Sequence, residues 1–305
     1  MQHQPYRIKT ISEFHKLRGL PKPEHPLISI VDMEAIDTST DDRLLSWTLD
    51  FYSISLKRTS NIKYRYGQQE YDFDEGVMFF MAPHQVFGIS NPSNERPRHS
   101  GWLLLIHPDF MWNTSLAATI KKYGYFDYAV HEALFLSEKE ETILNNIVRN
   151  IQQEYSSNID TFSKQIIISL IETLLNYSER FYHRQFITRE KSNHQVLERL
   201  EKLLTDYFDG EALETKGLPT VQYISEQLNI STSYLRNLLN MLTGQSTQQH
   251  IHGKLIEKAK EKLSTTQLSI GEIAYSLGFE HPQSFSKLFK SKTKLSPLEF
   301  RQSFN

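Results

Sequence analysis

The sequence predicts a two-domain α+β protein: an antiparallel β-barrel or sandwich, then helices, then an all-helical last third. Three observations lead to this fold class. Between Leu27 and Ile106, short apolar or alternating segments are separated by Gly, Pro and Asn, which is typical of antiparallel sheets. From Ser137 onward, apolar residues recur at the spacing of an amphipathic helix. In the last third, one helix-turn-helix pattern occurs twice.

Five segments of the first domain have the period or composition of strands, namely 27–31, 51–57, 62–66, 77–81 and 102–106. In 51–57, apolar residues alternate with polar ones, whereas VMFFM at 77–81 and WLLLI at 102–106 are continuous apolar runs. A short helix over 11–20 precedes them and ends at Gly19. Because the segments are short and separated by Gly, Pro and Asn, we expect an antiparallel barrel or sandwich.

Two helices follow the strands, over about 137–185. The first begins with a capping box formed by Ser137 and Glu140, and the second begins at Asp160. The apolar arc of the second helix is wider than one packing neighbour requires. Burial against the barrel and a dimer interface are both compatible with this arc, and we interpret these helices as a dimerisation segment. The polar stretch 188–195 is predicted to be a linker between a domain at 1–187 and a domain at 196–305.

Composition excludes several classes of protein. The chain has 305 residues, no cysteine and a net charge of −2, so disulfide frameworks and thiolate chemistry are excluded. Residues 230–305 carry a net charge of +5, which leaves −7 on the remainder and indicates a basic unit suited to nucleic acid. We find no apolar segment typical of a signal peptide or a membrane span, and we therefore expect a cytoplasmic protein without a membrane partner.

The repeated pattern defines two helix-turn-helix units, at 220–242 and 269–291. The same residue types recur at a constant offset of 49 positions: Val221, Ile224, Leu228, Asn229 and Ile230 correspond to Ile270, Ile273, Leu277, Gly278 and Phe279. Asn and Gly are the residues that best tolerate the positive φ that such a turn needs. In each unit an amphipathic second helix follows, which buries its Leu or Phe residues and leaves a polar face exposed.

The two exposed faces are predicted to contact DNA. They carry short polar and basic side chains that suit base edges and phosphates, namely Thr232, Ser233, Arg236, Asn237 and Asn240 in the first unit and Gln283, Ser284, Lys287 and Lys290 in the second. A helix over 247–264 connects the units and would be about 27 Å long. Recognition helices in successive major grooves lie about 34 Å apart, so this helix has a suitable length to place both units on one DNA face.

Residues 220–301 resemble the DNA-binding domain of the AraC/XylS family of bacterial transcription regulators. The segments that carry the resemblance are ISTSYLRNLL, KLIEKAKEKL, SIGEIAYSLGFEHPQSFSKLFK and LSPLEFR. By matching position, the resemblance implies that Thr232, Ser233, Arg236 and Asn237 form the first DNA-reading face, and His281, Gln283, Ser284 and Lys287 the second. The chain departs from the family at Lys254, where Arg is usual, and at Lys294, where Gly is usual.

The resemblance also has implications for the first domain and for partners. Many family members pair this DNA-binding domain with a cupin-like barrel and a helical dimerisation segment, which is the arrangement we expect for residues 27–185. The implied partners are double-stranded DNA, a second copy of the chain, a small-molecule effector and, for an activator, RNA polymerase.

The first domain offers candidate ligand-binding residues that interleave aromatic and basic side chains: Lys57, Tyr64, Arg65, Tyr66, His84 and Trp102. Such a lining would suit a sugar, an acidic metabolite or an aromatic compound. The alternative is that these residues form ordinary barrel core and a solvated outer face. His84 has no nearby His-x-His partner, and only folding could bring it to His107, so we predict no metal, no cofactor and no catalytic residue.

The sequence therefore predicts a sequence-specific transcription regulator that responds to a small molecule through its first domain and is not an enzyme. Two alternatives remain open. One is a regulator without a small-molecule ligand, controlled by a protein partner or by its own abundance. The other is a cupin-type metal enzyme fused to a DNA-binding module.

Overall fold

The fold was analysed in a computed structural model of the chain. The structure describes residues 5–36, 46–59, 64–66, 69–71, 76–88, 99–129, 132–156, 160–188, 190–210 and 212–303. Contacts divide the chain into two compact units, Met1–Ile187 and Thr188–Asn305. Each unit has its own cluster of buried apolar residues.

The described residues of the first unit form the strands and four α-helices. The strands are β1 (Tyr6–Ile8), β2 (Ile28–Asp32), β3 (Ser46–Leu49), β4 (Tyr52–Thr59), β5 (Tyr64–Tyr66), β6 (Gln69–Tyr71), β7 (Val77–Met81), β8 (Val86–Gly88), β9 (His99–Ile106) and β10 (Leu134–Phe135). The helices are α1 (Ile11–Leu17), α2 (Ser115–Thr119), α3 (Glu138–Ser156) and α4 (Ser163–Thr188). The five strand segments predicted from sequence overlap β2, β4, β5, β7 and β9.

The strands form open sheets, and the predicted cupin-like barrel is not confirmed. The largest sheet has five strands in the order β10-β7-β4-β9-β2, a second has the order β1-β3-β8, and β5 pairs with β6. Within the described ranges, β2 and β10 are the two edges of the five-stranded sheet, so no ring of hydrogen-bonded strands closes. Alternation in a sequence shows which side chains share a face, but it does not show which strands are neighbours.

The five-stranded sheet is covered on both faces. One face carries Ile54, Leu104 and Trp102, and the Trp102 Nε1 donates to Asn145 Oδ1 of α3 at 2.8 Å. On the other face, Leu105 packs in a cluster with Ile8 of β1 and residues of α1. The serines of β4 are therefore buried rather than solvated, as Ser53 and Ser55 are only 7% and 5% exposed.

The helices of the first unit begin as the capping signals predict but extend further. Ser137 N donates to Glu140 Oε2 at 2.9 Å, and Arg184 of α4 donates to the same carboxylate at 2.6 Å. The next helix, α5, begins at Glu190, inside the stretch predicted to be a linker. Glu and Lys have good helix propensity, so the lack of an apolar period there does not exclude a helix. In the described part of the chain, no helix has both the length and the apolar character required to cross a membrane.

The second unit is helical. Its helices are α5 (Glu190–Asp209), α6 (Ala212–Lys216), α7 (Val221–Leu228), α8 (Thr232–Thr243), α9 (Thr247–Thr265), α10 (Ile270–Ser276), α11 (Pro282–Thr293) and α12 (Pro297–Gln302). The central helix is α9, which packs against α5, α8, α10 and α12. It buries Ile251, Leu255, Ala259 and Leu263, which recur every four residues and so form one stripe. One helix thus connects the two helix-turn-helix units through a shared core.

Candidate nucleic-acid interface

The first helix-turn-helix unit consists of α7, a tight turn and α8. The Thr220 hydroxyl caps α7 by accepting from Tyr223 N. Asn229 then adopts φ 57° and ψ 47°, the left-handed conformation expected from the sequence. This lets Ile230 N donate to Ser225 O at 3.0 Å, which closes the turn. Ser231 begins α8 by accepting from Tyr234 N at 3.1 Å.

The second helix-turn-helix unit, formed by α10 and α11, repeats this turn. Ser269 and Glu272 form a complete capping box at the start of α10. Gly278 has φ 79°, and Phe279 N donates to Ala274 O at 3.0 Å, the counterpart of the Ile230–Ser225 bond in the first unit. The equivalence at 49 positions is therefore one of backbone geometry as well as of residue type.

After the turn, the offset between the units becomes 50 positions. Helix α11 starts with His281 as its N-cap and Pro282 in its first turn, whereas α8 starts with Ser231 as its N-cap. The repeat continues further than the sequence analysis recognised. Gly244 and Lys294 end α8 and α11 with φ 68° and 70°. Capping boxes at Ser246 and Ser296 then open α9 and α12. The missed signal was the spacing of these serines and of the Gln or Glu three residues later.

The predicted DNA-contacting residues lie on the solvent side of α8 and α11. Thr232 and Ser233 are half-buried, and the remaining members are exposed, namely Arg236, Asn237, Asn240, His281, Gln283, Ser284, Lys287 and Lys290. The opposite sides are buried in the core, where Leu235 and Leu239 of α8 and Phe285 and Phe289 of α11 are 0% exposed. Two continuous polar surfaces result, called here the first face (the five residues of α8) and the second face (His281 and the four residues of α11).

The two faces differ in charge. Within α8, Arg236 is the single cationic residue, whereas α11 contains Lys287, Lys290 and Lys292. The histidines of α9 do not add to this charge, because burial lowers the pKa of both His250 and His252 below the usual value. We therefore expect stronger attraction of phosphates by the second face.

Lys294 occupies a backbone position that favours glycine. Its φ of 70° lies in the left-handed region, which costs an L-residue with a side chain about 1 kcal/mol. We expect Lys294→Gly to raise the stability of the second unit by about 0.5–1 kcal/mol, measured as a higher melting temperature of the full chain. Lys294→Ala is the matched control because it removes the charge and keeps the strain. An equal gain in both variants would show that charge, not backbone strain, is responsible.

Of the six candidate ligand residues, the structure describes the side chains of Lys57, His84 and Trp102, and it places these three in different surroundings. Since Leu56 lies opposite Trp102 in the sheet, Lys57 points to the other face from Trp102. His84 is exposed in the turn after β7, with its Nδ1 3.3 Å from Asp50 Oδ1. Tyr64, Arg65 and Tyr66 form β5, and their side chains lie outside the described part. The structure thus does not bring Lys57, His84 and Trp102 together, and a role for the six candidate residues in ligand binding stays a prediction.

The interior face near Lys57 is nevertheless basic. The Lys57 Nζ lies 5.3 Å from the centre of the Phe79 ring, and the Arg18 guanidinium lies 4.7 Å from that of Trp47. Burial, followed by repulsion from Arg18, lowers the pKa of Lys57 below its usual value. His107 belongs to a different neighbourhood, beside Asp109. Among the described residues, no three side chains of the metal-binding types cluster together.

Comparison with known proteins locates the similarity in the second unit. A family model described as a helix-turn-helix domain matches residues 224–303. The Msm operon regulatory protein of Streptococcus mutans is 35% identical over 27% of this chain and 30% of its own length. An uncharacterized helix-turn-helix-type transcriptional regulator of Bacillus subtilis, YfiF, is 24% identical over 82% of this chain and 76% of its own.

Among solved structures, the C-terminal domain of the two-component response regulator yesN from Fusobacterium nucleatum is similar to this chain. It is 30% identical, with a TM-score of 0.31, and the match covers 35% of this chain and 98% of that one. The matched segments span between 10% and 30% of the length of four curated relatives.

Proposed function

We propose that the chain is a sequence-specific DNA-binding transcription regulator of the AraC type and not an enzyme. The match of residues 224–303 to a helix-turn-helix family model supports this proposal. The observation that carries this proposal is the repeated turn, which leaves two polar faces exposed on α8 and α11 while their opposite sides pack in one shared apolar core. The similarity to an operon regulatory protein supports a role in transcription.

In this proposal the two faces enter successive major grooves on one side of the DNA. The connecting helix α9 has 19 residues and is therefore about 28 Å long, close to the spacing of about 34 Å between such grooves. The first face contacts bases through Thr232, Ser233, Arg236, Asn237 and Asn240. The second face contacts bases and phosphates through His281, Gln283, Ser284, Lys287 and Lys290. Binding is expected to weaken strongly as salt is added.

Selection of bound DNA from a random pool by the full chain tests this function. We expect two conserved boxes whose centres lie about 10–10.5 base pairs apart. Arg236→Ala should relax the preference in one box and Lys287→Ala in the other. A pool that stays random after repeated selection at low salt would contradict the proposal.

The proposal includes a homodimer formed through the first unit. Phe162 immediately precedes α4 and is 70% exposed, and Ile166 on the same face of the helix is 43% exposed. Half-buried Leu170 and Tyr177 continue this stripe at intervals of four and seven residues. From Phe162 to Tyr177 the stripe covers about 22 Å at 1.5 Å per residue, which is long enough for a helical interface. A second copy of α4 is the occupant we propose for it.

Ile166→Glu is expected to convert the dimer into a monomer, because a charge would be buried without a partner at the interface. Sedimentation equilibrium of the full chain measures the effect, with a weakening of dimerisation by at least tenfold as the expected result. Leu298→Glu places the same change on an exposed apolar residue of α12 and should leave dimerisation intact. If the parent chain is monomeric at micromolar concentration, the proposed dimer is wrong.

We further propose that the first unit controls DNA binding in response to a small-molecule effector. The supporting observation is that this unit carries a basic, partly aromatic interior near Lys57 and an aromatic cavity at the edge of β7. An effector changes DNA affinity only to the extent that it binds two conformations of the chain differently. For an activator, RNA polymerase is the additional partner.

A further inference from the structure

A cavity of about 260 Å³ lies in the first unit where β7 is no longer paired with β10. It is lined by Phe80 of β7, Val86 of β8, Tyr125 and Tyr128 of the segment after α2, and Tyr182 of α4. We propose that this cavity binds a small, uncharged aromatic molecule. Ligand binding in this cavity does not depend on the proposed function, whereas its effect on DNA binding rests on that function.

The walls of the cavity are aromatic rings in fixed mutual orientation. Tyr125 and Tyr182 stack with their centres 5.3 Å apart at an interplanar angle of 19°. Phe80 lies 4.5 Å from Tyr125, and Tyr128 meets Tyr182 edge-on at 5.2 Å. Such rings favour a flat partner that can stack on a face or meet an edge.

Three polar residues of the lining, Tyr125, Tyr182 and Gln85, already form hydrogen bonds within the protein. Tyr125 Oη donates to Leu175 O at 2.9 Å, and Tyr182 Oη donates to Glu132 O at 3.3 Å. Gln85 Oε1 accepts from Ala82 N at 3.0 Å, and its amide nitrogen donates to Phe126 O. Among the described residues that line the cavity, none is charged. A charged ligand would lose its hydration here without gaining a partner, so the site selects against ions.

The size of the cavity limits the ligand to one or two rings. A cavity of about 150 Å³ is sufficient for benzene, and pockets for drug-sized ligands begin at about 300 Å³. At about 260 Å³, the present cavity falls between these cases. Val86, which is 62% exposed, stands at the open side and gives access from solvent.

The ligand would contact elements that lead to the DNA-binding unit. The segment that contributes Ala133 to the lining is tied to α4 by hydrogen bonds. Gln185 Nε2 donates to Ala133 O at 3.1 Å, and Phe135 N donates to Gln185 Oε1 at 2.8 Å. Helix α4 ends at Thr188, where the second unit begins. A molecule seated against Tyr182 therefore acts on the helix at the boundary between the units.

Isothermal titration of the full chain with indole tests the site. We expect one molecule of indole per chain with a Kd of about 0.1–1 mM, as suits a ligand of this size. Ala129→Leu narrows the cavity and should weaken binding at least tenfold. Ala118→Leu makes the same change on the exposed side of α2 and should have no effect. Indole-3-carboxylate, the charged analogue, should bind at least tenfold more weakly than indole.

Val86→Trp is a second variant that obstructs the open side without changing a buried residue, and it too should weaken indole binding. Non-saturating titrations, or equal affinity in the parent and both narrowed variants, would overturn the site. Equal affinity for indole-3-carboxylate would overturn the ligand class. Indole binding with the expected variant pattern but no selected DNA would refute the regulator and leave the site standing. A selected DNA motif without indole binding would support the regulator and refute the binding site.

Discussion

Gly278→Ala is expected to destabilise the second unit by about 2–5 kcal/mol. The residue has φ 79°, which costs alanine about 1–2 kcal/mol. An added Cβ would also lie 2.8 Å from Gly217 Cα and 2.9 Å from Leu213 O. Both are backbone atoms and must move to accommodate it, which costs about 1–3 kcal/mol more. Scanning calorimetry of the full chain should show one transition lowered by about 10 °C or more.

Gly244→Ala is the matched control for this prediction. Gly244 has φ 68°, but a Cβ there meets no atom within 4 Å, so only the backbone cost of about 1–2 kcal/mol applies. The difference between the two variants isolates the close approach of the α10–α11 turn to the loop before α7. Equal losses of stability in the two variants would show that this contact is not tightly packed.

The same comparison explains why the two helix-turn-helix units have different residues in their turns. Asn229 is exposed, so its side chain has room in the left-handed conformation, whereas Gly278 lies against Gly217 and Leu213. The need for positive φ at both positions could be predicted from the sequence, because Asn and Gly are the residues that supply it. The packing that excludes Asn at position 278 could not be predicted from the sequence, because it depends on a segment about sixty residues away.

In the first unit, the local signals predicted strands and helix starts but not their arrangement. The alternation in β4 and the apolar runs of β7 and β9 were sufficient to identify those strands. Which strands pair with each other depends on contacts between residues distant in sequence. For this reason the sequence led to an expected closed barrel, whereas the described residues form an open five-stranded sheet. Short strands such as β1 and β10 carry too few residues for a detectable period.

The candidate DNA-contacting residues and the candidate ligand residues show the same contrast. The exposure of Arg236 and Lys287 followed from helical spacing, since one face of each amphipathic helix is buried. The grouping of Lys57 with Trp102 rested on residue type alone, and their neighbouring register positions place them on opposite faces. The cavity beside Tyr182 has lining residues from distant segments, so no local pattern marks it.

The second large effect is expected when the first face and the second face, which we propose to contact DNA, are changed separately. Arg236→Ala and Lys287→Ala should each weaken binding to the selected DNA by about 1–3 kcal/mol if each makes a good base contact. A residue that contacts only phosphate behaves differently. Its loss reduces the slope of log K against the logarithm of the salt concentration by about one, and it does so for all DNA sequences. Fluorescence anisotropy at several salt concentrations distinguishes the two cases.

Charge predicts which behaviour each face will show. Arg236 is the single cation of α8, so its loss should relax sequence preference with little change in salt dependence. Lys290→Ala on α11, beside Lys287 and Lys292, should reduce salt dependence and leave the preferred sequence unchanged. Lys202→Ala, an exposed lysine of α5, is the control and should change neither. Loss of sequence preference in Lys290→Ala, with salt dependence unaltered, would contradict the role assigned to Lys290, because this lysine would then read bases rather than anchor phosphates.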